Sequence, residues 1–296
     1  MPRLTANDFA PEVMQLFDQY VHGRIDRRGF LDGAARYAVG GVSATMLLEM
    51  LNPKFAEAQQ VKTDDPRIKA RYVEYASPDG HGRMRGYLVM PAKAAGKLPG
   101  VLVLHENRGL NPHTEDVARR MALENFVAFA PDALFPLGGY PGSEDKAREM
   151  YGKLEPAKTR HDFIAGAGFL KTLPECTGRV GVVGFCAGGS MANILATQIP
   201  DLGAAVPFYG GQPSAVEAAR IKAPLMIHNA EKDDWVNKGW PAYETALRAA
   251  GVKYEMFTYP GTQHGFLNDT TPRYDEAAAK LAWSRTIEFF NRNLRG

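Results

Sequence analysis

From residue 70 onward, apolar and polar positions alternate between two periods, and the switches between them divide the chain into elements. "RYVEYAS" (71–77) and "MRGYLVM" (84–90) flank the turn signal "PDGHG" and predict a β-hairpin. "LPGVLVLH" (98–105) is a continuous apolar run, as a strand buried on both faces requires. "TEDVARRMALEN" follows with helical spacing, placing Val117, Met121 and Leu123 or Ala122 inward. Further strands are predicted at 126–132, 179–185, 204–210, 223–230 and 252–260. The helices "RHDFIAGAGFLKTLP", "SMANILATQIP", "GWPAYETALRAAG" and "YDEAAAKLAWSRTIEFFNRNL" are interleaved with them. An opening hairpin followed by strands separated by helices predicts an α/β fold: a mostly parallel eight-stranded sheet covered by helices on both faces. Residues 61–296 show no internal repeat and no linker, so they read as one domain.

Residues 1–60 follow a different pattern. "PEVMQLFDQYVHG" places Val13, Leu16, Phe17 and Tyr20 on one helical face. Residues 8–51 can be read as two amphipathic helices packed on the main domain or on a partner subunit. They can equally be read as a twin-arginine-like export signal: Arg27 and Arg28 precede Gly29, Phe30, Leu31 and a Gly/Ala-rich segment, and "AEA" (56–58) suits cleavage before Gln59. Asp26, Asp32, Arg36 and Glu49 depart from the signal pattern. Cytoplasmic retention and export to a periplasm both stay open. On either reading this extension is not expected to carry chemistry.

Composition narrows the class. In 296 residues, 45% are hydrophobic, 23% are charged, and the formal net charge is only +2. No basic stripe or aromatic-basic interleaving appears, so nucleic acid is not an expected partner. No apolar run is long and charge-free enough for a transmembrane helix. Cys176 and Cys186 stand at opposite ends of one predicted strand, about 20 Å apart at ~3.3 Å per residue, too far for a disulfide. No Walker A or G-x-G-x-x-G motif implies a nucleotide, and no cofactor is expected. His22, His81, His105, His113, His161 and His228 show no paired spacing that suggests zinc, so no metal is expected either.

Open parallel sheets place their ligand sites beyond the carboxyl ends of the strands. The loops leaving those ends include "ENRGLNPH", "CAGGS", "EKDDWVNKG" and "GTQHGF". Gly184-Phe185-Cys186-Ala187-Gly188 has the G-x-nucleophile-x-G form of a nucleophile elbow, with cysteine where serine is usual. The turn strains the central residue, and a helix N-terminus there favours a thiolate. A cysteine nucleophile needs a base and the base an orienting acid. His264 lies four residues past the last predicted strand, and Asp233 and Asp234 follow strand 223–230. The chain order nucleophile, acid, histidine is that of the α/β-hydrolase triad.

With "GFCAGG", the acidic loop, "YPGTQHGF" and "HENRGL", the chain over roughly 70–295 resembles the dienelactone hydrolase family, a cysteine-using branch of the α/β-hydrolase fold. The resemblance implies Cys186, His264 and Asp233 as the triad, since "EKDDWV" places Asp233 in the family register. It implies that Glu106 contacts the resting cysteine, and that the N–H groups of Asn107 and Ala187 form the oxyanion hole. Family members bind a substrate carboxylate with an arginine shortly after the histidine; here Asn268 stands in "HGFLND", and Arg108 or Arg273 is a candidate replacement. Tyr140, Phe208, Trp235 and Phe266, with Arg108, are candidates for the pocket wall. The expected function is cysteine-dependent hydrolysis of small esters or lactones, with a homodimer allowed. The alternative is a non-catalytic protein on the same fold that binds a partner through its N-terminal helices.

Overall fold

A computed structural model describes residues 3–295. Eight strands form one sheet in the order β1-β2-β4-β3-β5-β6-β7-β8. β1 (Ile68–Ser77) and β2 (Gly82–Pro91) make the expected hairpin, with Ser77 opposite Gly82. β2 then pairs antiparallel with β4 (Val127–Pro131). From β4 onward every pairing is parallel, through β3 (Leu98–Leu104), β5 (Cys176–Phe185), β6 (Ala204–Phe208), β7 (Leu225–Lys232) and β8 (Tyr254–Gln263). All eight predicted strands are present.

The period-2 alternation of the central strands divides the interior into two cores, one on each face. Val101, Val103, Val183 and Val206 face one core, and Leu102, Leu104, Val182 and Ala205 face the other. Helices cover both faces, so the central strands are apolar almost without interruption.

Four helices precede the sheet: α1 (Pro11–Val21), α2 (Arg27–Ala34), α3 (Ala44–Leu51) and the single turn α4 (Phe55–Ala58). Those within the domain are α5 (Pro112–Leu123), α6 (Glu144–Tyr151), α7 (Pro156–Thr172), α8 (Ala187–Gln198), α9 (Ala215–Ala218), α10 (Asp234–Asn237), α11 (Trp240–Ala249) and α12 (Glu276–Leu294). α7 buries Thr159, Asp162, Phe163, Gly166, Ala167 and Leu170, a helical stripe that lies on the sheet. On α5 the inward residue is Ala122, with Val117, Ala118 and Met121, while Leu123 is only partly buried. Among the described residues, no helix is long and apolar enough to cross a membrane.

The N-terminal segment forms three full helices rather than the two expected. It is a cap with its own apolar cluster: Phe9, Val13, Met14, Phe17, Tyr20, Phe30, Ala34, Leu47, Leu48 and Leu51. Arg27 and Arg28 begin α2 after Asp26, whose carboxylate caps the helix by accepting from Gly29 N–H at 2.7 Å. Arg27 lies 3.8 Å from Asp145 of α6, and Arg28 lies 3.9 Å from Asp32.

Candidate active site

Three strands deliver three side chains in the same way. Cys186 is the first residue after β5, Asp233 the first after β7, and His264 the first after β8. β7 and β8 each run beyond their predicted ends, and an irregularity between Ala230 and Lys232 brings Lys232 opposite Gln263. The acid and the histidine therefore emerge side by side.

Cys186 adopts φ 54° and ψ −113°, a backbone state that costs a non-glycine residue on the order of 1–3 kcal/mol and persists only where its surroundings enforce it. Here its N–H donates to Phe208 C=O at 3.1 Å, and its C=O accepts from Ser190 N–H at 2.9 Å. The elbow also needs its glycines. A Cβ on Gly184 would sit 2.0 Å from Gly188 O, and one on Gly188 would sit 2.4 Å from Leu104 O. The Ala187 N–H opens α8 and so has no partner one turn earlier within the helix.

Asp233 uses its two carboxylate oxygens separately. Oδ1 caps α10 by accepting from Val236 N–H at 3.3 Å, and Oδ2 lies 2.6 Å from His264 Nδ1. The cap fixes the carboxylate, and the carboxylate fixes the imidazole tautomer, leaving His264 Nε2 toward the cleft. Asp234, one residue on, is exposed. Burial disfavours a charged His264, but the Cys186 thiolate and Asp233 outweigh it and raise the pKa to about 10. Burial likewise pushes the Cys186 thiol up. The positive charge at His264 and hydrogen bonding from His22 and His264 overcome it, drawing the thiol down to about 6.

His22 comes from the cap and was not expected here. It is the residue after α1, 164 positions before Cys186, yet its Nε2 lies 3.8 Å from Cys186 Sγ and 3.3 Å from His264 Nε2. Its Nδ1 faces Asp18 C=O at 2.8 Å and Asp18 Oδ1 at 3.2 Å. The extension was expected to stand apart from the site; instead α1 is docked with its C-terminus over Cys186. The Asn107 amide donates to Val21 C=O at 3.0 Å and Arg108 donates to it at 3.1 Å, filling an orphan carbonyl of the last helical turn. No sequence spacing could reveal this contact, because it depends on how two parts with separate apolar cores meet.

The other candidates are distributed around this centre. Glu106 lines the cleft, and its Oε2 accepts from Asn268 Nδ2 at 3.4 Å; the ring nitrogens turned toward the sulfur belong to His22 and His264. Asn107 and Arg108 also line it, and Arg108 lies 3.6 Å from Glu144. Tyr140 donates to that same Glu144 at 2.8 Å. Trp235 is exposed, with its ring 6.3 Å from that of His22. Phe208 and Phe266 are corrections: both are fully buried in the core beneath the triad, Phe208 stacked on His228, so neither reaches the cleft.

His105 and Tyr209 went unrecognised in the sequence. Burial holds His105 neutral, near pKa 4. Its Nε2 accepts from Ala133 N–H at 3.2 Å, so Nδ1 carries the proton toward Glu106 C=O at 2.6 Å and fixes the loop that bears Glu106 and Asn107. Tyr209 packs its ring 4.9 Å from that of His264.

With the cap in place, the cleft over Cys186 has a volume of about 30 Å³, room for about one water and far below the roughly 300–1,000 Å³ of ordinary ligand pockets. A groove of about 530 Å³ between α5 and α12 is larger but contains none of the triad. Chemistry, not size, identifies the site.

Comparison with known proteins gives the family. The dienelactone hydrolase family model matches residues 84–294, and a YqhI-like model matches residues 1–39. The Escherichia coli hydrolase fragment YghX is 54% identical over 115 residues, 39% of this chain and 98% of that one. A relative from Aquifex aeolicus that carries a carboxymethylenebutenolidase name is 35% identical over 228 residues, 72% of this chain and 95% of that one. A structure from Klebsiella pneumoniae described as a dienelactone hydrolase is 28% identical with a TM-score of 0.67, covering 76% of this chain and 99% of its own. The family-model match over residues 84–294, with these relatives, places the chain in the dienelactone hydrolase family, as a hydrolase of carboxylic esters or lactones.

Proposed function

We propose that Cys186 is the nucleophile of a cofactor-independent ester or lactone hydrolase, with His264 as its base and Asp233 as the orienter of His264. The observation that carries this reading is the 2.6 Å contact between His264 Nδ1 and Asp233 Oδ2, set beside a cysteine on a strained elbow. The Cys186 thiolate attacks the carbonyl carbon, and the resulting oxyanion accepts hydrogen bonds from the Ala187 and Asn107 N–H groups. The tetrahedral species collapses, the acyl C–O bond breaks, and His264 gives its proton to the departing alkoxide. A thioester on Cys186 remains. His264 then takes a proton from water, the hydroxide adds to the thioester carbonyl, and the thiolate departs. In a lactone the alcohol stays attached to the acyl group, so one intermediate serves ring opening and hydrolysis.

Substrate class follows from the charges around the cleft. Arg273 lines it with Nε and NH1 buried and unpaired by hydrogen bonds, and the carboxylate facing it, at 3.8 Å, is Asp18 of the cap. Arg108 is already engaged by Val21 and Glu144. Arg273 is therefore the better anchor for a substrate carboxylate, which would take the place of Asp18 once the cap moves. A p-nitrophenyl ester, a dienelactone and a simple uncharged lactone, offered to wild type and Cys186→Ala, test this. Turnover by wild type alone, favouring the carboxylate-bearing dienelactone, is expected. Equal turnover by both proteins would remove Cys186 from the mechanism.

A further inference from the structure

The triad explains one of the two histidines at Cys186 and leaves the other without a role. Both imidazoles are oriented alike: His264 Nδ1 is 2.6 Å from Asp233 Oδ2, and His22 Nδ1 is 2.8 Å from Asp18 C=O and 3.2 Å from Asp18 Oδ1. With each Nδ1 directed at an acceptor, both Nε2 atoms face inward, 3.3 Å apart and beside a sulfur 3.8 Å from His22 Nε2. The three donor atoms lie within 4.8 Å of one another. Among the described residues no other such group of three converges. Protons on the imidazoles engage the sulfur by hydrogen bonds, as at the resting thiolate. A cation at their centre would displace those protons and engage all three donor atoms at once.

We propose that Cys186, His264 and the cap's His22 form a three-ligand site for a thiophilic divalent cation, zinc by its coordination chemistry, which fastens the cap over the nucleophile. The donor set is one such a metal takes: a thiolate and two imidazoles, with metal–sulfur near about 2.3 Å and metal–nitrogen near about 2.0–2.1 Å. A tetrahedron with those bond lengths has nitrogen–nitrogen edges of about 3.3 Å and sulfur–nitrogen edges of about 3.6 Å. The separations of 3.3 and 3.8 Å fit it. Each histidine is backed by an acceptor on its far nitrogen, the usual second shell of a metal-bound imidazole. The fourth position faces the 30 Å³ space, which suits a water. A bound metal removes the thiolate's reactivity and ties α1 to the sheet, so the loaded form is latent. Stripping the metal frees both the sulfur and the cap.

Titration of chelator-treated, full-length protein with Co²⁺ and then Zn²⁺ tests the site. Wild type should take one Co²⁺ per chain, with tetrahedral d–d bands and a thiolate-to-cobalt charge-transfer band, and Zn²⁺ should bleach both. Cys186→Ala should lose the charge-transfer band, and His22→Ala should bind at least about 100-fold more weakly. Asp18→Asn, which keeps the side-chain shape, should weaken binding by about 10- to 100-fold. Circular dichroism of each variant confirms that the helices remain. The proposal is overturned if wild type shows no charge-transfer band, if Cys186→Ala retains it, or if His22→Ala binds as wild type does. These readouts are spectra rather than turnover, so failure of this site and failure of the hydrolase reading are separate results.

Discussion

The sheet domain and the N-terminal cap are held together by different forces. The domain has two continuous apolar cores, one on each face of its sheet, built from side chains far apart in sequence. The cap has one small core drawn entirely from residues 6–51. The two parts meet mainly through polar groups: Tyr20 and Arg27 with Asp145, Arg148 with Tyr20 C=O, Asn107 and Arg108 with Val21 C=O, Arg273 with Asp18, and Lys54 N–H with Thr270 C=O. Apolar burial is non-directional and holds each core together, whereas these half-buried polar contacts depend on geometry and are partly screened by salt. The difference teaches that the cap has a core of its own and is joined to the domain by a separate, polar seam. A part built this way is suited to covering a cleft that must also open.

The largest effects should fall within the domain's catalytic strand ends. Cys186→Ala should abolish turnover, and Asp233→Asn should lower kcat by about 10⁴-fold, since a histidine in the wrong tautomer cannot act as base. Asp234→Asn, on an exposed side chain one residue away, should change kcat less than about twofold, and steady-state kinetics on one ester distinguishes the two. Smaller effects should follow from loosening the cap. Phe30→Ala removes a fully buried ring from the cap core and should cost that core about 3–5 kcal/mol. Hydrogen exchange should quicken over residues 11–51 and not in β3 or β5, and iodoacetamide should reach Cys186 faster in metal-free protein. Simultaneous exchange throughout the chain would mean that the two parts are one cooperative unit.

pH separates the regions further. In metal-free protein, Cys186 alkylation should rise through about pH 6 rather than near the ordinary thiol value of 9, because the neighbouring imidazoles favour the thiolate. The smallest effect concerns Asp269, where burial raises the pKa but His113, Arg120 and Gln60 lower it to about 2. A carboxylate depressed from 3.8 contributes stability above about pH 4 and loses it as pH falls toward 2, roughly 2 kcal/mol in all. Asp269→Asn should flatten the acid side of the melting profile over that window.

The two regions were also unequally legible in sequence. Strand positions, the elbow and the order Cys186, Asp233, His264 follow from local patterns: continuous apolar runs, glycines that admit no Cβ, and residues at strand ends. Helix α6 was missed because its flanking loop, rich in glycine and proline, masks an eight-residue helix. The face of α1 was read from period alone, and Met14 proved more deeply buried than Leu16. His22 was beyond reach for a deeper reason. Its place at Cys186 is set by polar docking between two folded parts, and such contacts leave no periodic trace. Two of the aromatic candidates misled similarly, since Phe208 and Trp235 look alike in sequence but one lies in the core and the other at the rim.

The central claim is that Cys186 forms the covalent bond to substrate. Rapid quenching of metal-free wild type with an activated ester, followed by intact and peptide mass spectrometry, tests it most directly. The account predicts an acyl adduct on the peptide containing Cys186, absent from Cys186→Ala and lost with time as the ester turns over. Turnover with the acyl group on another residue, or turnover undiminished in Cys186→Ala, would contradict it.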